Sequence, residues 1–338
     1  MKHRFLTVLL LIVFVLQSYG QKVIFPSFDT EAPKWDETRS GATTDLKYNG
    51  DMYIEDVNIY AVVDLGVILT KNGKTYHLDV LSHNLGAKHN WENGDYYAWG
   101  ETEPYYEEGY AQSTNPVWRK DKDQGYDWHS YKYGTSIIRE KKISNELKLL
   151  SVSGVTKYCT NDVIWEDNIE WMGEPQNKPD GKYVLDPEDD IATLTFGDGF
   201  AIPTQDEWEA IWEQCYWVWT DNYDKTGKSG FIIYKSKSPK DKQKTKGSPD
   251  NVTYNIETDI HIFLPRACNR YQLIICGNPY KLEENVTIDF YYWSSSLGSK
   301  YACDAVMFMP TRERSTTISR DFVRSTGTPI RAIRRRPF

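Results

Sequence analysis

Residues 201–215 read Ala-Ile-Pro-Thr-Gln-Asp-Glu-Trp-Glu-Ala-Ile-Trp-Glu-Gln-Cys and contain the signals that start a helix and bury one of its faces. Thr204 and Glu207 have the spacing of a capping box, in which each side chain satisfies a backbone N–H at the helix start. Four apolar residues then recur at i, i+3, i+4 and i+7: Trp208, Ile211, Trp212 and Cys215. This periodicity is typical of a helix with a single apolar stripe. The stretch therefore predicts an α-helix over residues 204–215 that packs on a core.

Runs rich in β-branched and aromatic residues lie on both sides of this helix and predict strands. They are Val62–Leu69, Thr75–Leu81, Asp95–Trp99, Phe231–Tyr234, His261–Leu264, Phe290–Ser295, Ala302–Met309, Thr316–Phe322 and Ile330–Ile333. Trp99 and Trp293 lie in two of these runs, so we expect both to be core residues together with Trp208 and Trp212. We expect the capped helix to dock beneath a small strand layer near Trp293, and the last arginines of the chain to complete that layer.

Two further helices are predicted in the first two thirds of the chain. Ile143, Leu147 and Leu150 fall on one face of a helix over Arg139–Val152. A second start signal is Asp186-Pro-Glu-Asp-Asp190, where Asp186 can cap, proline suits the first turn, and the acids favour the positive end of the helix dipole. Residues 101–135 read as a long loop. Helices followed by short strands and long loops indicate an α+β domain rather than a βαβ array.

The first twenty residues have the pattern of a secretory signal peptide. A basic start, Lys2–Arg4, precedes the apolar run Phe5–Leu16, and Ser18-Tyr-Gly20 places small residues at −3 and −1 of a cleavage site. The apolar run is shorter than the ~20 residues of a membrane span, although an uncleaved anchor is the alternative. No cysteine follows directly, so a lipoprotein anchor is not indicated. We therefore expect an exported protein, located in the periplasm, at the cell surface or outside the cell, with no membrane span after cleavage.

The mature chain is expected to comprise an N-terminal extension, residues 21–60, and one domain, residues 61–338. Loss of Lys2 and Arg4 takes the net charge from −8 to −10, which argues against nucleic acid as a partner. Residues 312–338 contain eight arginines, which we interpret as facing solvent or acidic segments, with an anionic-ligand patch as the alternative. Lys235–Lys246 carries six lysines and reads as a solvated loop. The oligomeric state is not encoded in any of these patterns.

Five cysteines follow the signal peptide: Cys159, Cys215, Cys268, Cys276 and Cys303. In an oxidising compartment at most two disulfides can form, and one thiol is left over. Cys268 could pair with Cys276 across a hairpin, and Cys159 could pair with Cys215. Buried free thiols are an equally plausible outcome, because a domain of this size does not need a bridge to form its core.

Several segments, taken in order, resemble a known family. They are Gly94–Glu101, Trp128-His-Ser-Tyr-Lys132, Lys157-Tyr-Cys-Thr160, Val184-Leu-Asp-Pro-Glu-Asp-Asp190, the capped helix, Tyr291-Tyr-Trp-Ser-Ser-Ser296 and Thr328-Pro-Ile-Arg-Ala-Ile-Arg334. Their order and spacing, over roughly residues 61–335, resemble the Fibrobacter succinogenes major paralogous domain of secreted Bacteroidetes proteins. More distantly they resemble the formylglycine-generating-enzyme branch of the C-type lectin fold.

This resemblance implies a C-type-lectin-like fold, with two main helices around small twisted antiparallel sheets and a long irregular loop region. The residues expected to define that fold are Trp99, Thr204, Glu207, Trp208, Trp212, Trp293 and Arg331. The chain departs from the family pattern in two places. Ala201-Ile202 stands where relatives usually carry Arg, and Arg266-Ala-Cys268 stands where they often have Ala-Ala-Gly.

Catalytic motifs are sparse. Formylglycine-generating enzymes need two closely spaced reactive cysteines before the C-terminal arginine strand, and only Cys303 lies in that interval, so the resemblance does not extend to oxidase activity. Neither Gly-x-Ser-x-Gly nor His-Glu-x-x-His occurs. His83 and His89 are the closest histidine pair, and we interpret them as ordinary surface or hydrogen-bonded histidines rather than as ligands. These observations favour a protein that is not an enzyme.

Carboxylates cluster at Glu101, Glu103, Glu107 and Glu108, and again at Glu188, Asp189 and Asp190. Such groups can perform acid–base chemistry or bind calcium, although solvated loops and helix starts explain both clusters. Glu174-Pro-Gln176 is similar to the sugar-binding triplet of C-type lectins, but the matching Trp-Asn-Asp is absent. Residues 173–181 therefore read as a turn. Calcium remains an open expectation, and no other cofactor is indicated.

Aromatic residues make up 14% of the chain, a proportion that favours a binding module, because exposed rings stack on sugars and anchor protein partners. The loop residues expected to make such contacts are Tyr105, Tyr106, Tyr110, Trp118, Tyr126 and Trp128. We therefore expect a secreted or surface-exposed bacterial binding or adhesion protein whose ligand is a glycan or a surface protein. The alternatives are an exported enzyme that acts on polysaccharide and a structural component of the envelope.

Overall fold

In the part of the chain that the structure describes, the secondary structure is mostly β, with two short α-helices among several small antiparallel sheets, and is α+β in the broad sense. The computed structural model describes residues 23–24, 52–55, 58–104, 128, 131–143, 146–160, 179–238, 241, 254–267, 270–271, 274–275, 290–299, 301, 303–310 and 319–337. The helices are α1 (Ile191–Phe196) and α2 (Gln205–Gln214). The strands are β1 (Val23–Ile24), β2 (Met52–Glu55), β3 (Asn58–Lys71), β4 (Lys74–Leu81), β5 (Tyr96–Tyr97), β6 (Gly134–Ile143), β7 (Glu146–Val155), β8 (Phe200–Ala201), β9 (Tyr216–Thr220), β10 (Gly230–Tyr234), β11 (His261–Pro265), β12 (Arg270–Tyr271), β13 (Ile274–Ile275), β14 (Tyr292–Leu297), β15 (Asp304–Phe308), β16 (Ser319–Val323), β17 (Thr328–Pro329) and β18 (Ile333–Pro337).

The largest sheet has six strands in the order β1-β2-β3-β4-β18-β8. Only the β1–β2 pair is parallel, and this pair brings residues just after the expected cleavage site onto the sheet edge. The C-terminal strand β18 lies between β4 and β8. Successive side chains of a strand point to opposite faces. Arg334 and Arg336 therefore reach the buried Asp79 on one face, while Arg335 reaches Glu207 on the other.

Helix α2 begins where the sequence predicts. The Thr204 hydroxyl accepts from the Glu207 N–H, and the Glu207 carboxylate accepts from the Thr204 N–H, so the capping box is confirmed. The buried indole of Trp208 stacks on Phe308 of β15, with ring centroids 4.4 Å apart, and its Nε1–H donates to the Trp293 carbonyl of β14 at 3.1 Å. The helix therefore lies directly against the strand that carries Trp293, as expected from the sequence. The expectation that the last arginines complete the same layer is wrong, because Arg334–Arg336 lie in β18 of the six-stranded sheet, whereas Trp293 lies in the sheet β14-β15-β16.

The sheet β14-β15-β16 separates two large hydrophobic clusters. One cluster contains Trp99, Trp293 and Met307, and the other contains Trp208 and Phe308 together with Trp212 and Trp217. The alternation along β14 and β15 explains the division, because neighbouring residues face opposite sides of a strand. All four tryptophans expected in the core are at most 3% exposed. Full burial of each large apolar side chain contributes about 1.5–3 kcal/mol to stability.

The predicted helix over Arg139–Val152 is wrong. Residues 134–155 form a β-hairpin, in which β6 and β7 pair over ten residues each and Ile143 lies opposite Glu146. Apolar residues at i, i+4 and i+7 fit a helix, but two paired strands also accommodate them. Tertiary pairing overrides the weak local preference.

The start of the second predicted helix also needs correction. Asp186 makes no side-chain capping bond, and Pro187–Asp189 is a single 3₁₀ turn. The cap of α1 is Asp190, whose carboxylate accepts from the N–H groups of Ala192 and Thr193. The acid run therefore divides into one buried capping residue and a short turn.

Cys159 and Cys215 are free and buried, so the bridge between them is not formed, and Cys303 is also buried. Cys159 and Cys215 belong to different hydrophobic clusters, which explains why the two thiols do not meet. Cys268 and Cys276 lie outside the described residues, as do residues 1–20. Neither of the two helices in the described part of the chain is long and apolar enough to cross a membrane.

Candidate functional site

Three separate segments meet at one surface, which we call the lysine–carboxylate cluster. Its members are Lys132, Lys157, Lys182, Asp186, Glu188 and Asp189. Lys157 lies at the centre, with its ammonium nitrogen 2.7 Å from an Asp186 oxygen and 3.3 Å from a Glu188 oxygen, and it also pairs with Asp189. Lys132 approaches Asp189 from the side at 2.9 Å. The cluster thus joins residues that lie up to 57 positions apart in sequence.

The backbone around Tyr158 places these groups. Tyr158 adopts a positive φ of 60°, which is unusual for a residue with a side chain. Two contacts stabilise this bend: the Asp180 carboxylate accepts from the Tyr158 N–H at 2.7 Å, and the buried Arg324 donates to the Tyr158 carbonyl at 2.6 Å. The bend directs the Tyr158 hydroxyl to Asp189, to which it donates at 2.6 Å. The oxygen of the Tyr158 hydroxyl also accepts from the Asp186 N–H.

The carboxylates of the cluster are held in their charged form. Burial alone would raise the pKa of Asp189, but hydrogen bonds from Lys157 and from neighbouring tyrosine and lysine groups hold it well below its usual range. The pKa of Asp186 is lowered in the same way, against the effect of burial, by Lys157 and Lys182. A general acid needs a raised pKa near the working pH. Asp186 and Asp189 are therefore suited to fixing positive charge and not to donating protons.

The cluster also bears on the expected calcium site. Among the described residues, Asp186, Glu188 and Asp189 form the one group of three whose ligand atoms lie close enough together for a metal ion, all within 4.8 Å. Calcium requires six to eight oxygen ligands. In this group the central position is taken by the Lys157 ammonium. The fit to a metal is accordingly poor, because the ammonium groups of Lys132, Lys157 and Lys182 already pair with the three carboxylates.

Trp128 lies four residues before Lys132, a member of the cluster. Its partly buried ring packs 5.5 Å from that of Tyr131, and Gly134 faces it, because a Cβ on Gly134 would lie 2.4 Å from the Trp128 carbonyl oxygen. The Lys132 N–H donates to the buried Glu101 carboxylate at 2.7 Å. Trp128 therefore packs on the residue that precedes Lys132, and the buried Glu101 carboxylate holds the Lys132 backbone.

The other predicted site residues have different positions. Tyr105, Tyr106, Tyr110, Trp118 and Tyr126 lie outside the described residues, as do Glu107, Glu108, Glu174 and Gln176. Glu103 is exposed. Asp190 is buried as the cap of α1. Sequence reasoning missed Lys132, Lys157 and Lys182, although the segments Trp128–Lys132 and Lys157–Thr160 had been noted for their resemblance to a family.

The two histidines are explained by packing. His83 is buried with its ring against Tyr60, and burial lowers its pKa to about 3, so it is neutral. His89 stacks on Trp91 with ring centroids 4.5 Å apart. Arg331, expected to define the fold, is fully buried and donates to the carbonyls of Leu81, Ser82 and Phe263. These residues serve the core rather than a surface site.

Comparison of the chain with protein-family models, with curated proteins and with solved structures finds no match.

Proposed function

We propose that this chain is an exported, non-catalytic binding protein of bacteria, with one C-type-lectin-like domain that holds a glycan or a surface protein at the surface around Trp128. The binding surface consists of the Trp128 ring and the exposed members of the lysine–carboxylate cluster. Glu188 and Lys132 are the most exposed of these, with 67% and 45% of their side chains accessible. An aromatic ring beside charged groups can supply both stacking and hydrogen bonds to a ligand.

The observation that carries the proposal is the convergence of three segments that resemble the same family. Trp128–Lys132, Lys157–Thr160 and Val184–Asp190 are distant in sequence, yet Lys132 and Lys157 both donate to the Asp189 carboxylate. The contacts of α2 with the strand that carries Trp293 support the C-type-lectin-like arrangement. A surface assembled from several segments on a rigid scaffold is well suited to binding.

The state of the carboxylates favours binding over hydrolysis. Glycosidases use two carboxyl groups, one of which has a raised pKa and acts as an acid. In the cluster, Asp186 and Asp189 both have lowered pKa values and lysine partners. Asp186 and Asp189 therefore do not fit the acid role of an exported polysaccharide hydrolase.

The test is a glycan array, together with a pull-down of envelope proteins, using the chain from Gln21 onward with and without a calcium chelator. We expect saturable binding that survives chelation and that Trp128→Ala weakens at least about tenfold, which corresponds to a ring contact of roughly 1.4 kcal/mol. Trp91→Ala is the matched control, because Trp91 is also partly buried but packs on a different cluster. Far-UV circular dichroism confirms that both variants fold.

A second variant pair uses the charges. Glu188→Lys reverses an exposed carboxylate of the surface, whereas Glu213→Lys reverses an exposed carboxylate on α2. We expect only Glu188→Lys to change binding. If the protein retains no glycan or envelope protein and instead cleaves a polysaccharide, the proposal is wrong and the enzyme alternative replaces it.

A further inference from the structure

The three serines that follow Trp293 interrupt the pairing of β14 with β15. Trp293 lies opposite Met307 and Leu297 lies opposite Ala305, so Ser294–Ser296 face Val306 alone. Such a bulge bends a strand and redirects its side chains, and bulges are common beside binding sites. The Ser294 hydroxyl donates to the Val306 carbonyl at 2.7 Å and so replaces part of the missing ladder.

The bulge also connects the strand to the helix. The Ser296 hydroxyl accepts from the Gln205 N–H, the first of α2, at 3.0 Å. The Gln205 side chain donates to Glu209 one turn later at 2.9 Å, which holds its amide beside the helix start. The bulge and the helix start are therefore fixed relative to each other by hydrogen bonds.

A cleft of about 320 Å³ lies between this helix start and the neighbouring strands. Its lining residues are Gln205, Ser299, Val306, Ser319 and Asp321. Val306 and Asp321 are cross-strand partners in β15 and β16. Ser299 donates through both its N–H and its hydroxyl to one oxygen of Asp321, each at 3.0 Å. The Ser319 hydroxyl makes no hydrogen bond within the described part of the chain, although a buried hydroxyl normally has a partner.

We propose that this cleft binds one neutral, polyhydroxylated ring, such as a single sugar residue. The serine hydroxyls and the Gln205 amide both donate and accept hydrogen bonds, and the Asp321 carboxylate accepts them. Val306, which is 4% exposed, is the apolar residue of the lining. The volume lies at the lower end of the range for small-molecule sites, which suits one ring and no more. The Asp321 charge disfavours an anionic ligand.

The cleft differs from the Trp128 surface in its elements and its chemistry. It is built on α2, β15 and β16, and the residues of its lining that the structure describes include neither an aromatic ring nor a lysine. Sites on helices and strands hold their groups more precisely than sites on loops. The inference goes beyond the proposed function and does not depend on it.

The experiment is ligand-observed saturation-transfer NMR of the chain from Gln21 onward with methyl glycosides of neutral hexoses and pentoses. Methyl glucuronide serves as the anionic comparison and glycerol as a smaller polyol. We expect saturable transfer to at least one neutral glycoside, and weaker transfer to the glucuronide. Ser319→Val should lower the affinity about fivefold or more, because it removes one hydrogen bond and adds bulk. Asp321→Asn provides a second variant that keeps the shape of the cleft.

Ser325→Ala is the matched control, because the Ser325 hydroxyl is also buried without a partner in the described residues but does not line the cleft. It should bind like the parent protein. Absence of transfer to every neutral glycoside, or equal affinity of the parent and Ser319→Val, would overturn the inference. Trp128→Ala should leave the NMR binding intact. Loss of array binding in Trp128→Ala without any NMR signal from glycosides would reject the cleft and retain the proposed function.

Discussion

Arg335 donates two hydrogen bonds to the carboxylate of Glu207, from Nε at 2.6 Å and from Nη2 at 2.9 Å. The same carboxylate accepts from the N–H of Thr204 at 2.8 Å. A single buried acid therefore caps the tryptophan-rich helix and ties it to the last strand of the chain. Because Glu207 is 1% exposed, removing it leaves a guanidinium and a backbone N–H without their acceptor.

We expect Glu207→Ala to lower the free energy of unfolding by about 3–5 kcal/mol, the usual cost of breaking a buried ion pair on one side. Urea denaturation measures this cost. Glu213→Ala on the exposed face of the same helix is the control and should change stability by no more than ~0.5 kcal/mol. Similar small effects for both variants would show that the Glu207–Arg335 pair does not hold helix and strand together.

A pH effect is expected from Asp190. Burial raises the pKa of this carboxyl to about 6, in spite of hydrogen bonds from the N–H groups of Ile202, Thr193 and Ala192. The value in an unfolded chain is about 4. Since the folded-state pKa is the higher one, the contribution of Asp190 to stability is fully present below about pH 4 and is lost as the pH rises through about 6.

Asp190→Asn removes this titration while keeping an oxygen acceptor at the cap. Relative to the variant, we expect the parent protein to lose on the order of 3 kcal/mol of unfolding free energy between about pH 4 and pH 7, from a shift of about two pKa units. Urea denaturation of both proteins across this range gives the difference, and the offset at the lowest pH reports the altered cap itself. A difference that stays constant, or that changes in the opposite direction, would contradict the expectation.

The sequence carried enough local information for the capped helix but not for the hairpin. Thr204 and Glu207 lie within one helical turn, and the apolar stripe covers residues 208–215. Both signals are local in sequence, so they predict the helix without knowledge of the fold. Residues 139–152 have the spacing of a helix stripe, yet Arg139 lies opposite Leu150 in a strand pair. The competing signal is the pairing of β6 with β7 over ten residues each. Such pairing depends on the side chains of the partner strand more than on the intrinsic preference of each residue.

The candidate site was predictable only in fragments. Trp128, Glu188 and Asp189 could be identified as candidate site residues because each lies in a distinctive sequence segment. Nothing in the sequence pairs Lys157 with Asp186, because their contact depends on the backbone bend at Tyr158 and on the buried Arg324 that stabilises it. Long-range contacts of this kind follow from topology, which a single sequence does not specify.

The role of Lys157 as an internal cation can be tested by Lys157→Met. Three carboxylates then lose their central ammonium, and we expect the variant to bind Tb³⁺ or Ca²⁺ saturably while the parent protein does not. Terbium luminescence, sensitised by the nearby Tyr158 ring, provides the measurement. Lys132→Met is the control, since Lys132 pairs with Asp189 from the side and leaves Lys157 in place. Equal terbium binding by the parent protein and Lys157→Met would show that the lysine does not occupy the cation position.

The loss of stability at low pH should also change in Lys157→Met. Lys157 holds the pKa of Asp189 low, so the contribution of Asp189 is present above the unfolded pKa of about 4 and is lost as the pH falls. Lys157→Met raises the pKa of Asp189 towards its ordinary value. We therefore expect the variant to lose less stability than the parent protein between about pH 5 and pH 2, as measured by thermal denaturation. A steeper acid loss in the variant would contradict this assignment.

Arg324 connects the same site to the core and supplies the last test. It is fully buried, donates to the carbonyls of Lys157, Tyr158 and Asp304, and lies 5.0 Å from the ring centroid of Trp99. Arg324→Lys keeps the positive charge, but an ammonium group cannot reproduce the hydrogen bonds that the planar guanidinium donates to three carbonyls. We expect a loss of about 3 kcal/mol or more, since at least one buried carbonyl and the bend at Tyr158 lose their donor.

Arg336→Lys is the control for this substitution, because Arg336 is partly exposed and its partner Asp79 can accept from lysine. It should cost no more than ~1 kcal/mol. If Arg324 stabilises the bend, Arg324→Lys should also weaken ligand binding at the Trp128 surface under conditions where the variant is folded, and Arg336→Lys should not. Unchanged binding in a destabilised Arg324→Lys protein would restrict Arg324 to the core and separate the stability of the fold from the geometry of the site.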